Sequence, residues 1–303
     1  MRLRSDFLQS CSVTTLLVAL LANAVVAVAQ QPSEAPAELV RRTVQNEIEA
    51  NKSSAKFMFR ERKESPAGSQ TELMVETQEA MVGILIAKND RPLNAQERQA
   101  ENDRVDRFVK DPEELNRKKA LESENKERIT RIVKALPDAF LYEFDGTEAG
   151  DQGVAGPGEQ LVRLTFKPNP KYDPASRVEL VLTGMQGYIL IDTKQGRIAK
   201  IDGTLAKEVG FGWGILGHLD PGGHFLVDQA DVEGGNWEVT RMELNLTGKV
   251  LFFKTLNFKS TKTYSDFHPA PPNLSFAEGV ELLKKQKAVL AKNLQESQVQ
   301  RSQ

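Results

Sequence analysis

The stretch Gly187-Tyr-Ile-Leu-Ile-Asp-Thr-Lys-Gln-Gly-Arg-Ile-Ala-Lys-Ile-Asp202 decides the fold of this chain. Its two arms are rich in isoleucine, which favours strands, and a short polar connector ending in Gly196 separates them. Parallel strands need a much longer crossover, so two such arms around a short connector indicate an antiparallel hairpin. The stretch therefore predicts a strand-turn-strand unit.

Similar strand-like runs flank this unit on both sides, and their connectors carry the glycine, proline, asparagine and aspartate that turns require. Three early runs are Lys56–Arg62, Thr71–Thr77 and Met81–Ala87. The later runs are Phe140–Phe144, Leu161–Lys167, Arg177–Thr183, Tyr188–Asp192, Arg197–Asp202, Leu205–Val209, His224–Val227, Trp237–Leu246 and Val250–Lys259. Between the last two, Thr247-Gly-Lys249 predicts a tight hairpin turn.

Helices are predicted before, within and after these strands. Apolar residues at four-residue spacing mark a first helix around Val44, and Ser275-Phe-Ala-Glu278 is a capping box that opens a last one. Residues 94–134 alternate acids and bases over a thin apolar stripe, which predicts a charged helical insertion broken at Asp111-Pro112. This insertion is either a helical pair with a solvated outer face or a lid or partner-binding arm.

About a dozen antiparallel strands with few helices define the fold class as α+β and mainly β. A sheet of so many twisted strands has to curl or close. We therefore expect a large curved antiparallel β-meander, an unclosed half-barrel clasping helices.

The chain begins with the pattern of a secretory signal peptide. Two arginines precede an apolar run from Val13 to Ala29, which ends in the small-x-small pattern Ala27-Val-Ala29. Cleavage after Ala29 removes Cys11, the only cysteine, and an exported chain without cysteine is typical of a bacterial periplasm or exterior. No later apolar run is long enough to cross a bilayer.

The predicted organisation is a signal peptide over residues 1–29, a mobile leader over 30–36 and a single β-rich domain over 37–262. That domain contains the charged insertion at 94–134, and a Pro-rich connector with a C-terminal helix occupies 263–303.

Composition and motifs exclude several function classes. The formal net charge is −2 with acids and bases interspersed, so the chain is not expected to bind nucleic acid. Gly212-Trp-Gly-Ile-Leu-Gly217 matches a dinucleotide fingerprint, but Pro221-Gly-Gly223 ends any helix that could follow it. No metal, cofactor or catalytic residue is predicted, and an enzyme remains only as a hydrolase with an unrecognised carboxylate pair.

A loop with alternating glycines and large apolar residues, Val209 to Phe225, could either fill the core or line the mouth of a cavity. Three residues of this loop belong to a set of ten candidates for an apolar ligand pocket. Several of the ten are expected to be ordinary core residues rather than pocket residues. The candidates are Phe57, Phe59, Leu73, Val75, Ile84, Ile86, Phe211, Trp213, Ile215 and Trp237.

The strand-turn-strand unit at 187–202, in an exported chain with a leading helix, a meander and a helical interruption, resembles the LolA/LolB-type group of periplasmic lipoprotein carriers. The resemblance implies an open barrel that shelters acyl chains beneath helices. It makes a carrier for a lipid or lipoprotein the leading hypothesis. The alternative is an exported, non-enzymatic interaction protein that docks an envelope partner through its charged helices.

Overall fold

The computed structural model describes residues 34–53, 55–211, 217–250 and 254–301. The predicted signal peptide lies outside these ranges. Within them the chain forms one antiparallel sheet of 13 strands that is not closed into a barrel, together with four α-helices and a 3-10 helix. No helix in this part of the chain has both the length and the apolar character of a membrane span.

The elements follow in chain order. The α-helices are α1 Pro36–Ser53, α2 Ala95–Lys110, α3 Pro112–Ala139 and α4 Phe276–Arg301, and the 3-10 helix is Glu179–Gly184. The strands are β1 Phe57–Ser65, β2 Gly68–Val75, β3 Val82–Lys88, β4 Arg91–Pro92, β5 Phe140–Ala149, β6 Gln160–Pro168, β7 Met185–Asp192, β8 Arg197–Leu205, β9 Val209–Phe211, β10 Gly217–Leu219, β11 His224–Glu233, β12 Asn236–Val250 and β13 Lys254–Pro269.

The spatial order of the main path is β4-β3-β2-β1-β13-β12-β11-β8-β7-β6-β5, and β10 joins β12 to β9 beside it. Neighbours along the path are mostly consecutive in sequence, which is the predicted meander. There are two exceptions: β8 pairs with β11, and β1 pairs with β13, where Phe57 lies opposite Pro269 and Glu64 opposite Thr261. The β1–β13 pairing places the first described strand of the chain beside the last.

The hairpin predicted from residues 187–202 is β7 and β8, with Tyr188 opposite Asp202. Gly187 lies opposite Gly203 in this pair. A Cβ added at Gly187 would lie 1.9 Å from the carbonyl oxygen of Asp202, so the backbones are too close for any side chain there. Glycine in a strand interior is typical of such close approach.

The predicted turn at Thr247-Gly-Lys249 is wrong, because β12 runs straight through it. Thr247 pairs with Asn257 and Lys249 with Thr255. Gly248 serves a tertiary contact: a Cβ there would lie 2.2 Å from the carbonyl oxygen of His218 on β10. Its glycine reflects the close approach of a third strand, which local sequence cannot distinguish from a turn.

The predicted strand at Arg177–Thr183 is also wrong, since most of it forms the 3-10 helix. The cause is Glu179, whose buried carboxylate accepts hydrogen bonds from the Tyr172 hydroxyl at 2.6 Å, the Ser176 hydroxyl at 2.9 Å and the Ala175 N–H at 3.0 Å. These bonds from preceding residues hold the chain in a tight turn that a strand could not make.

Two boundaries differ from the sequence-based ones. The charged helices extend beyond residue 134, because α3 continues through Pro137 to Ala139. The sheet continues past residue 262, since β13 runs to Pro269 along β1. The capping box at Ser275 is confirmed: its N–H donates to Glu278 at 2.9 Å, and the Glu278 N–H donates back to the Ser275 hydroxyl.

The helices cover both faces of the sheet at its two ends. One core contains α1 residues such as Val40, the end of α3 at Leu136, and Ile189 of β7. A second contains α4 residues such as Val280 packed on Val75 of β2. Following the cross-strand partners from β7 to β2 places Ile189 and Val75 on opposite faces.

Candidate functional site

The ten sequence-predicted pocket residues do not come together. Leu73, Val75, Ile84 and Ile86 pack in the core beneath α4. Phe57 and Phe59 contact the ring of Phe267 with centroids 6.1 and 5.4 Å apart. Trp237 belongs to a third core and Phe211 borders a fourth, while Trp213 and Ile215 lie outside the described residues. Most of the described candidates are core, as the sequence analysis anticipated for several of them.

A different set of apolar residues lies on the central strands. Phe225 and Val227 of β11 lie opposite Leu244 and Met242 of β12, and these four half-buried side chains are called here the apolar strip. Val227 also lies opposite Ile201 of β8, which places the strip on the face that α1 covers further along the sheet. None of the four belongs to a core cluster of the described residues.

Helix α3 contacts a different face of the sheet at each of its ends: its start packs in the core on the Val75 face, and its end packs in the core on the Ile189 face, which is also the face of the strip. Near its start Leu115 packs beside α2 and α4, and the Glu122 carboxylate accepts the Met81 N–H at 2.9 Å just before β3. At its end Leu136 and Ala139 are buried against α1 and the sheet, where β5 begins. The helix therefore connects one end of the sheet to the other.

The sheet has to curve beneath this helix. From Glu122 to Leu136 the helix spans about 21 Å, at 1.5 Å per residue. From β3 to β5 the main path crosses nine strand spacings, which would extend about 43 Å in a flat sheet at roughly 4.8 Å each. Helix α3 thus links the two ends of a curved sheet.

The middle of α3 does not pack on the sheet. At 3.6 residues per turn, Ile129 and Val133 fall within about 20° of Glu122, so all three point to the sheet side. Val133 packs against the core, but Ile129 is 58% exposed. Ile129 is thus an exposed apolar side chain in the middle of α3, and it belongs to no core cluster of the described residues.

Burial raises the pKa of three carboxylates. Burial raises the pKa of Glu72 and of Glu76, and the positive charge of Lys126 on α3 opposes the rise at Glu76. Burial, reinforced by the charge of Glu76 and opposed by Arg197, raises the pKa of Glu238 to about 7. These shifts are those of acids in a confined, poorly solvated space.

The opposite face of the central strands is charged and closed by its own contacts. The Arg163 guanidinium lies 3.6 Å above the Tyr188 ring, and His224 Nε2 lies 3.0 Å from Asp202 Oδ1. His218 is 3.3 Å from Asp220 instead, so the loop histidines do not converge on one point. The apolar side chains of this face, Leu190, Ala199 and Trp237, are buried in the third core, and Tyr188 packs against them.

Comparisons with known proteins leave the function open. No protein-family model matches this sequence, and no curated protein matches it. A solved structure described as a DUF1329 family protein from Desulfovibrio piger is similar over 82% of this chain and 100% of that chain, with 10% identity and a TM-score of 0.32. A likeness of this size carries no argument, so the function has to be argued from the residues.

The strip was missed at the sequence level, although both of its strands were predicted. The alternation in His224–Val227 and Trp237–Leu246 contains the signal, because Phe225, Val227, Met242 and Leu244 share one face. The alternation cannot show which apolar faces of the strands a helix covers.

Proposed function

We propose that this chain is a non-enzymatic carrier that holds the acyl chain of an amphiphile between α3 and the apolar strip. The observation that carries the proposal is that Ile129 of α3 remains 58% exposed, while the strip belongs to no core cluster of the described residues. In this proposal an acyl chain occupies the space between them, called here the groove, and is covered by Ile129 on one side and by Phe225, Val227, Met242 and Leu244 on the other.

The energetics favour reversible binding. Each methylene removed from water contributes about 0.8 kcal/mol, so eight methylenes give roughly 6 kcal/mol before the cost of immobilising the chain. Burial of the strip also contributes favourable free energy, because a bound chain removes its half-buried side chains from water. A groove bridged by one helix suits a ligand that has to enter and leave.

The N-terminal sequence supports an exported location, and the resemblance to LolA/LolB-type carriers agrees with an acyl ligand. Export would place the carrier between membranes or outside the cell, where a lipid or lipoprotein has to be shielded from water in transit.

Native mass spectrometry of the protein purified from its own cell envelope, followed by denaturing extraction, tests the proposal. We expect a stoichiometric co-purifying lipid or acylated peptide, and uptake of a fluorescent fatty acid by the stripped protein. A clean apo mass without any uptake would contradict the carrier function.

The alternative is an interaction protein that docks a partner on the charged helices. One observation favours it: Leu121 of α3 is 60% exposed and lies about 100° around the helix from Glu122, away from the groove. The two functions thus depend on different sides of α3, which separates them experimentally.

A further inference from the structure

A polar pocket of about 230 Å³ opens at the β1–β2 hairpin, away from every core cluster. It is lined by two lysines, by serine, asparagine and glutamine side chains, and by small residues of the turn, namely Lys63, Ser65, Ala67, Gly68, Ser69, Gln70, Lys88 and Asn89. None of these lining residues is acidic. Hydroxyl, amide and ammonium groups around one concavity are the donors that recognise a phosphate or carboxylate.

The cross-strand register brings the two lysines to the same face of the sheet. Lys63 of β1 lies opposite Gln70 of β2, and Gln70 lies opposite Lys88 of β3. The two Cα atoms are thus about two strand spacings apart, roughly 10 Å. Lysine side chains are long and flexible enough to meet over Gln70 on one anionic group.

On its other side Lys63 lies directly opposite a third lysine, Lys262 of β13. Like charges directly opposite each other destabilise a sheet. The Glu61 carboxylate offsets the positive charge of Lys262 through an ion pair at 2.9 Å. Lys63 shares no such ion pair among the described residues, so its ammonium group is available to an anion in the pocket.

The same row of cross-strand partners connects this pocket to the groove. Met242 of the apolar strip lies opposite Lys262, which lies opposite Lys63. The row thus passes from apolar side chains to cationic ones on a single face. From Met242 to Lys63 it covers two strand spacings, about 10 Å, so one amphiphile could contact both.

We propose that the pocket binds the anionic headgroup, a phosphate or carboxylate, of the amphiphile whose chain occupies the groove. The inference rests on the proposed function, since it assigns headgroup and chain to one ligand. The proposal predicts that the protein binds anionic amphiphiles more tightly than neutral amphiphiles of the same chain length.

Isothermal titration calorimetry of the purified chain with inorganic phosphate, and with dodecyl phosphate and dodecyl maltoside below their micelle-forming concentrations, tests it. We expect dodecyl phosphate to bind about tenfold or more tightly than dodecyl maltoside. The variant Lys63→Gln/Lys88→Gln should lose that preference and keep its affinity for the maltoside. Binding of the maltoside also shows that the variant is folded.

The matched control is Lys249→Gln/Lys259→Gln, which removes two exposed lysines from the other face of the sheet. It should leave the preference unchanged. Equal affinity for both detergents would contradict the headgroup site but not the carrier function. If neither detergent binds, the carrier function itself is contradicted. Tight binding of inorganic phosphate without any dodecyl phosphate preference would assign the pocket to a free anion and overturn the headgroup proposal.

Discussion

Arg197 at the start of β8 and Glu47 on α1 form a buried two-point ion pair. The guanidinium donates from Nε and Nη2 to the two carboxylate oxygens at 3.0 and 2.9 Å, and the side chains are only 10% and 6% exposed. Glu47 also accepts the Ile198 N–H at 2.8 Å. These three bonds join residues 150 or 151 positions apart and fix α1 on the hairpin that the opening stretch of sequence predicts.

Glu47→Ala should therefore destabilise the fold by about 3–5 kcal/mol, because it leaves a buried guanidinium and a backbone N–H without an acceptor. Urea unfolding measures the change. Glu49→Ala is the control, since its ion pair with Lys52 is 2.6 Å long but exposed, and we expect less than about 1 kcal/mol there. Similar losses in both variants would show that the pair contributes no more than a surface contact.

The outer edge of β3 depends on a second charged pair. The Glu101 carboxylate accepts the Leu85 N–H at 2.7 Å, and Arg104 donates to the Gly83 carbonyl at 2.8 Å while it pairs with Glu101. Helix α2 thereby satisfies edge groups that could otherwise pair with another strand.

Glu101→Ala should lower the free energy of unfolding by about 2–4 kcal/mol, because it leaves Arg104 without its carboxylate partner. It should also shift the protein toward larger assemblies, because it exposes the edge of β3. Urea unfolding and size-exclusion chromatography with light scattering report the two effects. Asp103→Ala, which removes an exposed acid from the same helix, should change neither. A destabilised Glu101 variant that stays monomeric at high concentration would refute the edge-protection part.

Gly187→Ala should be strongly destabilising, by about 2 kcal/mol or more, because the new Cβ would lie 1.9 Å from the Asp202 carbonyl oxygen. The backbone there cannot yield without breaking the β7–β8 pairing. Gly156→Ala is the matched control, since its Cβ would meet only a side-chain atom of Glu159 at 3.9 Å. Thermal unfolding of the two variants decides the question, and equal melting temperatures would contradict the close approach.

The sequence predicted what local pattern controls and missed what distant contacts impose. The hairpin at 187–202, the break at Asp111-Pro112 and the capping box at Ser275 follow from turn and cap chemistry within a few residues. Gly248 was assigned to a turn because the strand that excludes its side chain lies elsewhere in the sequence. A glycine required by a tertiary contact looks the same as one required by a turn.

The site shows the same division more sharply. The sequence predicts many large apolar residues on the strands, but Val75 is covered by α4, whereas Met242 belongs to the strip, which is part of no core cluster of the described residues. That difference depends on the pairing of β1 with β13 and on the curvature it allows, and neither has a local signal. The pocket candidates chosen from hydrophobicity alone were therefore mostly core.

Glu238 should make stability depend on pH. Its pKa is raised to about 7, first by burial and then by Glu76, so in the folded chain it holds its proton between its ordinary pKa of 4.5 and about 7 while the unfolded chain releases it. The folded state then binds more protons than the unfolded state, and stability falls as pH rises through this range.

Glu238→Gln should remove that dependence and stabilise the protein at pH 8 by about 1–2 kcal/mol, less than the full shift because the side chain keeps some solvent. Urea unfolding at pH 5 and pH 8 gives the comparison. Glu233→Gln, an exposed acid at the tip of the same hairpin, should leave the pH profile unchanged. Parallel profiles for the wild type and the Glu238 variant would exclude its contribution.

Two substitutions on α3 separate the carrier from the interaction protein. Ile129→Glu places a charge in the groove over the apolar strip, and burying an acyl chain against it requires desolvating that charge. We expect the affinity for a fluorescent fatty acid to fall by about tenfold or more. Leu121→Glu introduces the same group a little over two turns earlier on a different side of the helix, and it should leave fatty-acid affinity unchanged.

The opposite pattern would support the alternative. If α3 docks a partner through its exposed side, Leu121→Glu should abolish capture of that partner from envelope extract while Ile129→Glu preserves it. Because both positions are more than half exposed, neither variant is expected to lose stability, and circular dichroism checks this. Because both variants add the same charge at exposed positions of α3, loss of fatty-acid binding in Ile129→Glu alone would place the ligand on the Ile129 side of the helix, as the carrier function requires.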